Sequence, residues 1–332
     1  MRAAVYETAG SSDVLEVREV PTPEPGPGEV RVAIALSGVN PTDWKSIRRA
    51  GPQAGAFGIP GQDGAGTIES VGPGIDPGRV GERVWLYMAA QNRQWGTAAE
   101  YSVIPAERAV ALPSSASFEL GASLGVPALT AWYCLNADRP VAGQRVLIAG
   151  GAGAVGHAAI ELARSEGAEL VIATASAPEK LELARAAGAD AVVNYRDADA
   201  AEQIRTLTPG GVDRIVELAL QANLELDLAV AAAYAQVVVY ADDLYPEATI
   251  PIRRFMGNNL TLRFMLLWMV APEKFRQAVD HVQAAVAGGG LTPLPIERFP
   301  LERVGDAYDL VEAGAGARKV VLDLHQPGTP RH

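Results

Sequence analysis

The sequence predicts an α/β protein in two parts, a β-rich domain and a doubly wound parallel six-stranded sheet, and three observations carry that prediction. The chain is 332 residues long, more than one hydrophobic core usually organises, so two domains are expected. Its front third alternates apolar and polar residues in short runs broken by Pro and Gly, the pattern of antiparallel strands joined by turns. From about Leu120 onward, Ala-rich helical stretches alternate with short β-branched runs, the rhythm of βαβ units.

Taken in order, strands are expected over residues 3–6, 15–20 and 29–35, then over 66–71, 83–87 and 98–103, with Pro/Gly clusters between them. The parallel sheet is expected from strands at 145–149, 169–173, 191–194, 212–217, 236–240 and 260–264, with helices between most of them. A helix over 272–287, a Gly288-Gly289-Gly290 break, a strand over 296–299, a helix over 303–312 and a strand over 319–324 follow. That closing part is expected to return to the first domain, and the polar stretch 325–332 to fray.

Composition narrows the function. At 48% hydrophobic and 20% charged the chain has the make-up of a folded globular protein, not of a disordered or fibrous one. Its net charge of −11 argues against nucleic acid and anionic lipid as partners. The longest apolar runs fall short of the roughly 20 residues a membrane helix needs. An acid and a Gly arrive before any signal-peptide core, so the cytoplasm is the expected location. The single cysteine, Cys134, excludes an internal disulfide and a thiolate cluster, and its apolar neighbours make it a buried structural thiol. Lysine is confined to Lys45, Lys180, Lys274 and Lys319 against a background of arginine, so each invites a specific explanation.

The expected strand 145–149 runs into Gly150-Gly151-Ala152-Gly153-Ala154-Val155-Gly156 and then a helical stretch over 157–164. Gly151, Gly153 and Gly156 form a GxGxxG pattern between a strand and a helix, the setting in which a dinucleotide pyrophosphate is bound. The glycines serve a tight turn, close backbone approach to the pyrophosphate and helix–strand packing, while the helix amides hold the anion. A flexible loop is the competing explanation; the flanking elements and further parallel strands favour the dinucleotide. At the end of the second strand an NAD-binding protein usually carries an acid for the ribose hydroxyls. Here stand Thr174, Ser176 and Lys180, two hydroxyls and a cation suited to a 2′-phosphate, which favours NADPH. The competing role of the hydroxyls is to cap the next helix.

Several further stretches complete a pattern: Gly38-Val39-Asn40-Pro41-Thr42-Asp43-Trp44-Lys45, Pro60-Gly61-Gln62-Asp63-Gly64-Ala65-Gly66, Val80-Gly81-Glu82-Arg83-Val84, Gly96-Thr97-Ala98-Ala99-Glu100-Tyr101, Leu129-Thr130-Ala131 and Asn194-Tyr195-Arg196. With the glycine turn, and in this order, they resemble the zinc-free quinone oxidoreductase (zeta-crystallin-like) branch of the medium-chain dehydrogenase/reductase superfamily over nearly the whole length. The resemblance implies a GroES-like catalytic domain from 1–125 and 267–332, an inserted Rossmann NADPH-binding domain at 126–266, and a cofactor cleft between them. It implies Asn40 near the nicotinamide ribose, Thr130 near the nicotinamide, and Lys180 and Tyr195 at the adenosine phosphate, beside the turn of Gly151, Ala152, Gly153, Ala154, Val155 and Gly156 already read from its motif as cofactor-binding. Zinc-dependent relatives place Cys and a His-Glu pair where this chain has Ser37, Asn40 and Gln62-Asp63, and carry a four-cysteine lobe absent here, so no metal is expected. The histidines, His157, His281, His325 and His332, are too scattered to restore a site. Many quinone reductases of the branch have Tyr where Lys45 stands, and the Asn-Pro-x-Asp-Trp-Lys form resembles the subgroup that reduces enones and related carbonyls.

Without a metal, the charge that develops on the acceptor oxygen during hydride transfer needs a hydrogen-bond donor, and conjugation spreads that charge. Lys45 is the expected donor, held by Asp43, with Asn40 completing the catalytic set; a surface salt bridge is the competing role for Lys45. Trp44, Tyr87, Trp95, Phe264, Met265 and Trp268 are the expected substrate pocket, with core packing the alternative for any one of them. The expected activity is zinc-independent, NADPH-dependent reduction of a quinone or other α,β-unsaturated carbonyl compound. An enoyl reductase acting on polyketide or acyl thioesters, and a non-catalytic NADPH-binding sensor or RNA-binding relative, are the alternatives. The exposed edge of the sixth parallel strand leads to the expectation of a homodimer.

Overall fold

The computed structural model describes residues 1–52, 56–242 and 247–324; the tail with His325 and His332 lies outside them. The chain divides into two compact units, Met1–Val126 with Pro293–His332, and Pro127–Thr292.

In the first unit β1 (Arg2–Val5) and β2 (Glu16–Glu19) form an antiparallel pair. The larger sheet is organised on β3 (Glu29–Gly38), where buried Val30, Val32, Ile34 and Leu36 alternate with half-buried Glu29, Arg31, Ala33 and Ala35, the period of two expected of a strand with one covered face, before the end at Ser37 and Gly38 is buried throughout. Antiparallel to β3 lie β4 (Asp63–Val71), β6 (Tyr101–Pro105) and, at its C-terminal end, β15 (Lys319–Asp323). The sheet extends through β5 (Arg83–Leu86) to β7 (Ala109–Ala111) on one side, and to β14 (Ile296–Pro300), parallel to β15, on the other. Two helices, α1 (Pro41–Arg49) and α10 (Val304–Glu312), bury Ile47, Val304, Ala307 and Tyr308 in one core with Val30, Val32, Ile34 and Leu322. A single turn, α2 (Phe118–Gly121), closes the unit before the boundary.

No helix was expected at α1. It begins at Asn40 with a capping box, in which the Asp43 side chain accepts from the Asn40 amide, and Pro41 takes the first position, where a missing N–H is harmless.

The second unit begins with α3 (Gly125–Asn136), whose first turn spans the boundary. Six strands follow: β8 (Arg145–Ile148), β9 (Leu170–Ala175), β10 (Ala191–Asn194), β11 (Val212–Glu217), β12 (Ala231–Val239) and β13 (Thr261–Phe264). They lie in the order β10-β9-β8-β11-β12-β13, every pairing parallel, which is the doubly wound arrangement of a dinucleotide-binding sheet. The connecting helices are α4 (Ala154–Ser165), α5 (Pro178–Ala186), α6 (Ala200–Leu207), α7 (Leu220–Val230) and α8 (Ile252–Gly257), and α9 (Pro272–Ala287) follows the last strand. Both α/β character and the parallel sheet therefore match the expectation. One strand differs: β12 starts at Ala231, ahead of the expected 236, because Ala231 pairs with Val212 before the register shifts to Gln236 opposite Arg214.

The expected division gave residues 267–332 to the first domain, whereas residues 267–292 pack with the second unit. The Trp132 ring receives the Lys274 ammonium at 4.9 Å and the His281 ring at 5.0 Å, and Thr292 donates its amide to Glu161 at 3.0 Å. The return to the first unit starts at Pro293. Among the described residues no helix is long and apolar enough to cross a membrane.

Within the parallel sheet, Arg214 is fully buried on β11. Its five guanidinium N–H groups meet five acceptors: Gln144 Oε1 at 3.2 Å, the Cys134 carbonyl at 3.1 Å, Gln236 Oε1 at 2.5 Å, Asp138 Oδ1 at 2.6 Å and the Arg139 carbonyl at 3.3 Å. Complete pairing is what makes a buried guanidinium tolerable, and here it ties α3 and the loop after it to the sheet. Arg214→Met strands the buried acceptors among these while Asp138, a third exposed, can turn to water, so a loss of roughly 1–3 kcal/mol is expected. It would be read as a lower urea midpoint at unchanged slope; an unshifted midpoint would show that the network adds nothing.

Candidate functional site

The junction of β8 and α4 is shaped by what cannot fit there. Gly150 has φ +66°, a left-handed conformation that disfavours side chains. A Cβ on Gly151 would stand 2.7 Å from the Ala173 Cβ on β9, and one on Gly156 would stand 2.3 Å from the Gly150 carbonyl oxygen. Gly153, the N-cap of α4, is different: its nearest neighbour would be the Gly150 oxygen at 3.3 Å, so it is bare toward the space in front of the helix. The first α-helical acceptance inside α4 is by the Gly153 carbonyl from His157, which leaves the amides of Ala154, Val155 and Gly156 without intrahelical partners. Outward amides on a bare turn at a helix N-terminus suit a pyrophosphate. The left-handed Gly150 lay outside the GxGxxG triplet; the doublet Gly150-Gly151 directly after a strand was the signal for it.

At the adjoining strand ends, the Gly151 amide donates to the Thr174 carbonyl at 2.9 Å, and the Tyr195 amide to the Ala175 carbonyl at 3.3 Å. Ser176 and Tyr195 are thereby brought side by side, with Lys180 in the first turn of α5. Thr174 is buried, while Ser176 and Lys180 are half-buried and Tyr195 is exposed. Neither hydroxyl caps α5, whose N-cap is Ala177 without a side-chain bond. Arg196, not among the expected cofactor residues, brings a second cation to this corner, its guanidinium 5.8 Å from the Tyr195 ring centroid. Thr130 is buried on α3.

Beyond the C-terminal ends of β11, β12 and β13 lies a cavity of about 210 Å³, lined by Leu220, Gln221, Val239, Asp242, Ile250 and Phe264 among others. Whole ligand sites usually span roughly 300–1,000 Å³, so this space suits part of a ligand, such as one ring. Of the expected pocket residues on this unit, Phe264 lines the cavity, Met265 follows it with its amide bonded to the Val239 carbonyl, and Trp268 is half-buried.

In the first unit the structure gathers Asn40, Asp43, Asp63 and Lys319 into a buried cluster. Asn40 Nδ2 donates to Asp63 Oδ2 at 2.7 Å, and Lys319 Nζ donates to Asn40 Oδ1 at 2.7 Å and to the Val39 carbonyl at 3.3 Å. Asp63 also accepts the Val126 amide at 2.8 Å, and Asp43 Oδ1 the Gln62 amide at 3.1 Å. Burial, and secondarily the charge of Asp63, pushes the Asp43 carboxyl up to about 7; burial pushes Asp63 up to about 6. Burial also lowers Lys319, against the pull of the two carboxylates. Nearby, Ser37 and Thr97 share a hydrogen bond of 2.8 Å, and Thr97 donates to the Asp63 carbonyl. Thr42 Oγ1, Trp44 Nε1 and Gln62 Oε1 border this region as buried polar atoms without a hydrogen-bond partner among the described residues.

Asp43 bonds to the backbone. Its two oxygens take the backbone amides of Asn40 and Gln62, and the cation acting on it is Lys319, so it secures the start of α1. Lys45 is half-buried on that helix, its ammonium 5.8 Å from the Trp44 ring centroid. Trp44 also stacks under Arg48 at 5.2 Å. Tyr87 is buried, with its hydroxyl donating to the Glu107 carbonyl at 3.1 Å, and Trp95 meets Phe57 edge-on at 5.8 Å. Both are engaged in core packing. Among the described residues no group of three or more His, Cys, Asp or Glu side chains could hold a metal ion. Cys134 is buried, which raises its thiol pKa.

Comparison with known proteins gives two domain matches: an alcohol dehydrogenase GroES-like domain over residues 26–114 and a zinc-binding dehydrogenase domain over residues 154–284. The quinone oxidoreductase of Rattus norvegicus is 30% identical over 331 residues, 98% of each chain. A solved structure described as an NAD-dependent alcohol dehydrogenase superposes with a TM-score of 0.86 at 30% identity, covering 97% of this chain and 99% of its own. A mycobacterial protein solved in complex with NADPH superposes with a TM-score of 0.83 at 29% identity and the same coverage.

The glycines separate two effects. Gly156→Ala drives a Cβ into backbone and is expected to lower both melting temperature and nucleotide affinity. Gly153→Ala meets only the Gly150 carbonyl oxygen, at 3.3 Å, and is expected to melt closer to the wild type than Gly156→Ala does while binding a dinucleotide at least several-fold more weakly. Calorimetry with NADPH on both variants checks this; equal binding by Gly153→Ala would move the pyrophosphate elsewhere.

Proposed function

The chain belongs to the quinone oxidoreductase branch of the medium-chain dehydrogenase/reductase superfamily, and from that premise we propose that it is a zinc-independent, NADPH-dependent reductase of quinones or other α,β-unsaturated carbonyl compounds. The observation that carries the cofactor choice is the corner of Ser176, Lys180, Tyr195 and Arg196, with no carboxylate at the end of β9 to favour a free ribose.

In this reading Gly151 to Gly156 hold the pyrophosphate, Lys180, Ser176 and Tyr195 the 2′-phosphate, and Asn40 and Thr130 the nicotinamide end. When bound, the dinucleotide supplies a hydride. Lys45 donates a hydrogen bond to the acceptor oxygen, where negative charge develops. Asp43 contributes by fixing the helix turn from which Lys45 projects. Phe264, Met265, Trp268 and Trp44 supply apolar surface against the conjugated acceptor. A second copy of the chain is the proposed partner, since β13 is an outer strand and Phe264, Leu266 and Met269 are exposed at its end. Light scattering should then give twice the chain mass, and a monomer would contradict it. The cytoplasm is the proposed location.

Steady-state oxidation of NADPH and NADH against a naphthoquinone, a benzoquinone, an alkyl enone, an enoyl thioester and a saturated aldehyde tests the activity. Turnover is expected with NADPH and the quinones or enone, and not with the aldehyde. Lys180→Ala should lower kcat/KM for NADPH by about tenfold to a hundredfold, the loss of one charge-assisted hydrogen bond, while leaving NADH unaffected. Preference for NADH in the wild type, or use of the saturated aldehyde, would contradict the proposal.

A further inference from the structure

Lys319 stands apart among the lysines because it is almost completely buried, on a strand near the C-terminal end of the described chain. Its path inward is built. Gly38 lies where β3 meets β15, and a Cβ there would sit 3.1 Å from the Lys319 Cε and 2.0 Å from the Ala122 carbonyl oxygen, so glycine leaves the corridor that the lysine fills. The Val39 amide bonds the Val320 carbonyl at 3.0 Å, which holds β15 in register with the start of the Asn40 turn.

We propose that Lys319 is a positioning residue: an internal counter-cation that fixes the side-chain amide of Asn40 between its own ammonium and the Asp63 carboxylate. An ammonium only donates and a carboxylate only accepts. The amide between them therefore has one acceptable orientation, oxygen to Lys319 and nitrogen to Asp63, with both bonds at 2.7 Å. A flip would set N–H against ammonium and oxygen against carboxylate. With one Nδ2 hydrogen taken by Asp63, the other is the donor that Asn40 can offer a ligand. This deepens the proposed function, on whose assignment of Asn40 to the nicotinamide ribose it rests. Charge compensation is the second half of the role. The groups facing the ammonium are Asp43 from α1 and Asp63 from β4, with Tyr308 of α10 and Tyr6 close enough to Asp43 to feel its charge. Without Lys319, two buried carboxylates share a site with no cation.

The test uses the full chain. Thermal unfolding of the wild type, Lys319→Met, Asp63→Asn and the Asp63→Asn/Lys319→Met double variant is followed at pH 5.5 and pH 8. Protonation relieves carboxylate repulsion at the lower pH, so the loss in Lys319→Met is expected to be larger at pH 8, and the double variant to melt above Lys319→Met there. This holds even if Lys319→Met alone fails to fold at pH 8. Equal losses at the two pH values, or a further loss in the double variant, would reduce Lys319 to packing and overturn the proposal. The positioning half is read from NADPH affinity by protein fluorescence. Lys319→Met is expected to weaken binding about tenfold, near the value of one hydrogen bond, and to add nothing on an Asn40→Ala background. Additive losses, or unchanged affinity in a folded Lys319→Met, would overturn it. A wild type that binds no nucleotide would instead defeat the proposed function and the ligand half of this role, and the melting series would still decide the counter-cation.

Discussion

The structure depends most on a steric constraint at one junction: between β8 and α4 the backbone must pass so close to β9 and to itself that side chains are excluded at Gly150, Gly151 and Gly156. Only under that constraint does α4 start directly beyond the strand, with its first amides pointing away from the sheet. The parallel order of the strands then follows a single logic. Strands buried on both faces, such as Val146 to Ile148 and Ile215 to Val216, are apolar throughout and need helices on either side, so every connection brings chain back to the same edge. That edge collects Ser176, Tyr195, Phe264 and the cavity beneath it, because C-terminal strand ends are where such loops converge.

The first unit solves a different problem, the burial of charge. Placing Asp43, Asp63 and Lys319 in a core is unfavourable unless each finds partners, and the backbone supplies most of them: the amides of Asn40, Gln62 and Val126 and the carbonyl of Val39. The result is a helix start held by charge-assisted hydrogen bonds. Lys45 and Trp44 project from that start, which connects a structural device to the residues proposed to meet the acceptor.

Local pattern and long-range pairing differed in how legible they were. The six parallel strands could be read because each is a short apolar run in a repeating βαβ rhythm, and the glycine turn because strand, glycines and helix are contiguous. The capping box of α1 is also contiguous, in Asn40-Pro41-Thr42-Asp43, but the helix it starts is short and carries Trp, Ser and two adjacent arginines rather than an apolar run, so periodicity does not mark it. The amides that Asp43 accepts are its neighbour Asn40, legible in the capping box, and Gln62, nineteen residues away and brought to it only by the fold. Lys319 could be singled out as a retained lysine, but its bond to Asn40 spans 279 residues and follows from the register of β15 on β3, which no local pattern encodes. The boundary near residue 292 was obscured for a similar reason, since the contacts of α9 with Trp132 join elements far apart in the chain.

The proposed NADPH site joins the β8–α4 turn to the Ser176–Lys180–Tyr195 corner. The most direct measurement is a crystal structure of the chain grown with NADPH. The pyrophosphate is expected against the amides of Ala154 to Gly156, in front of Gly153, and the 2′-phosphate within hydrogen-bonding distance of Lys180. A nucleotide bound elsewhere, or one whose 2′-phosphate touches none of Ser176, Lys180, Tyr195 or Arg196, would contradict it.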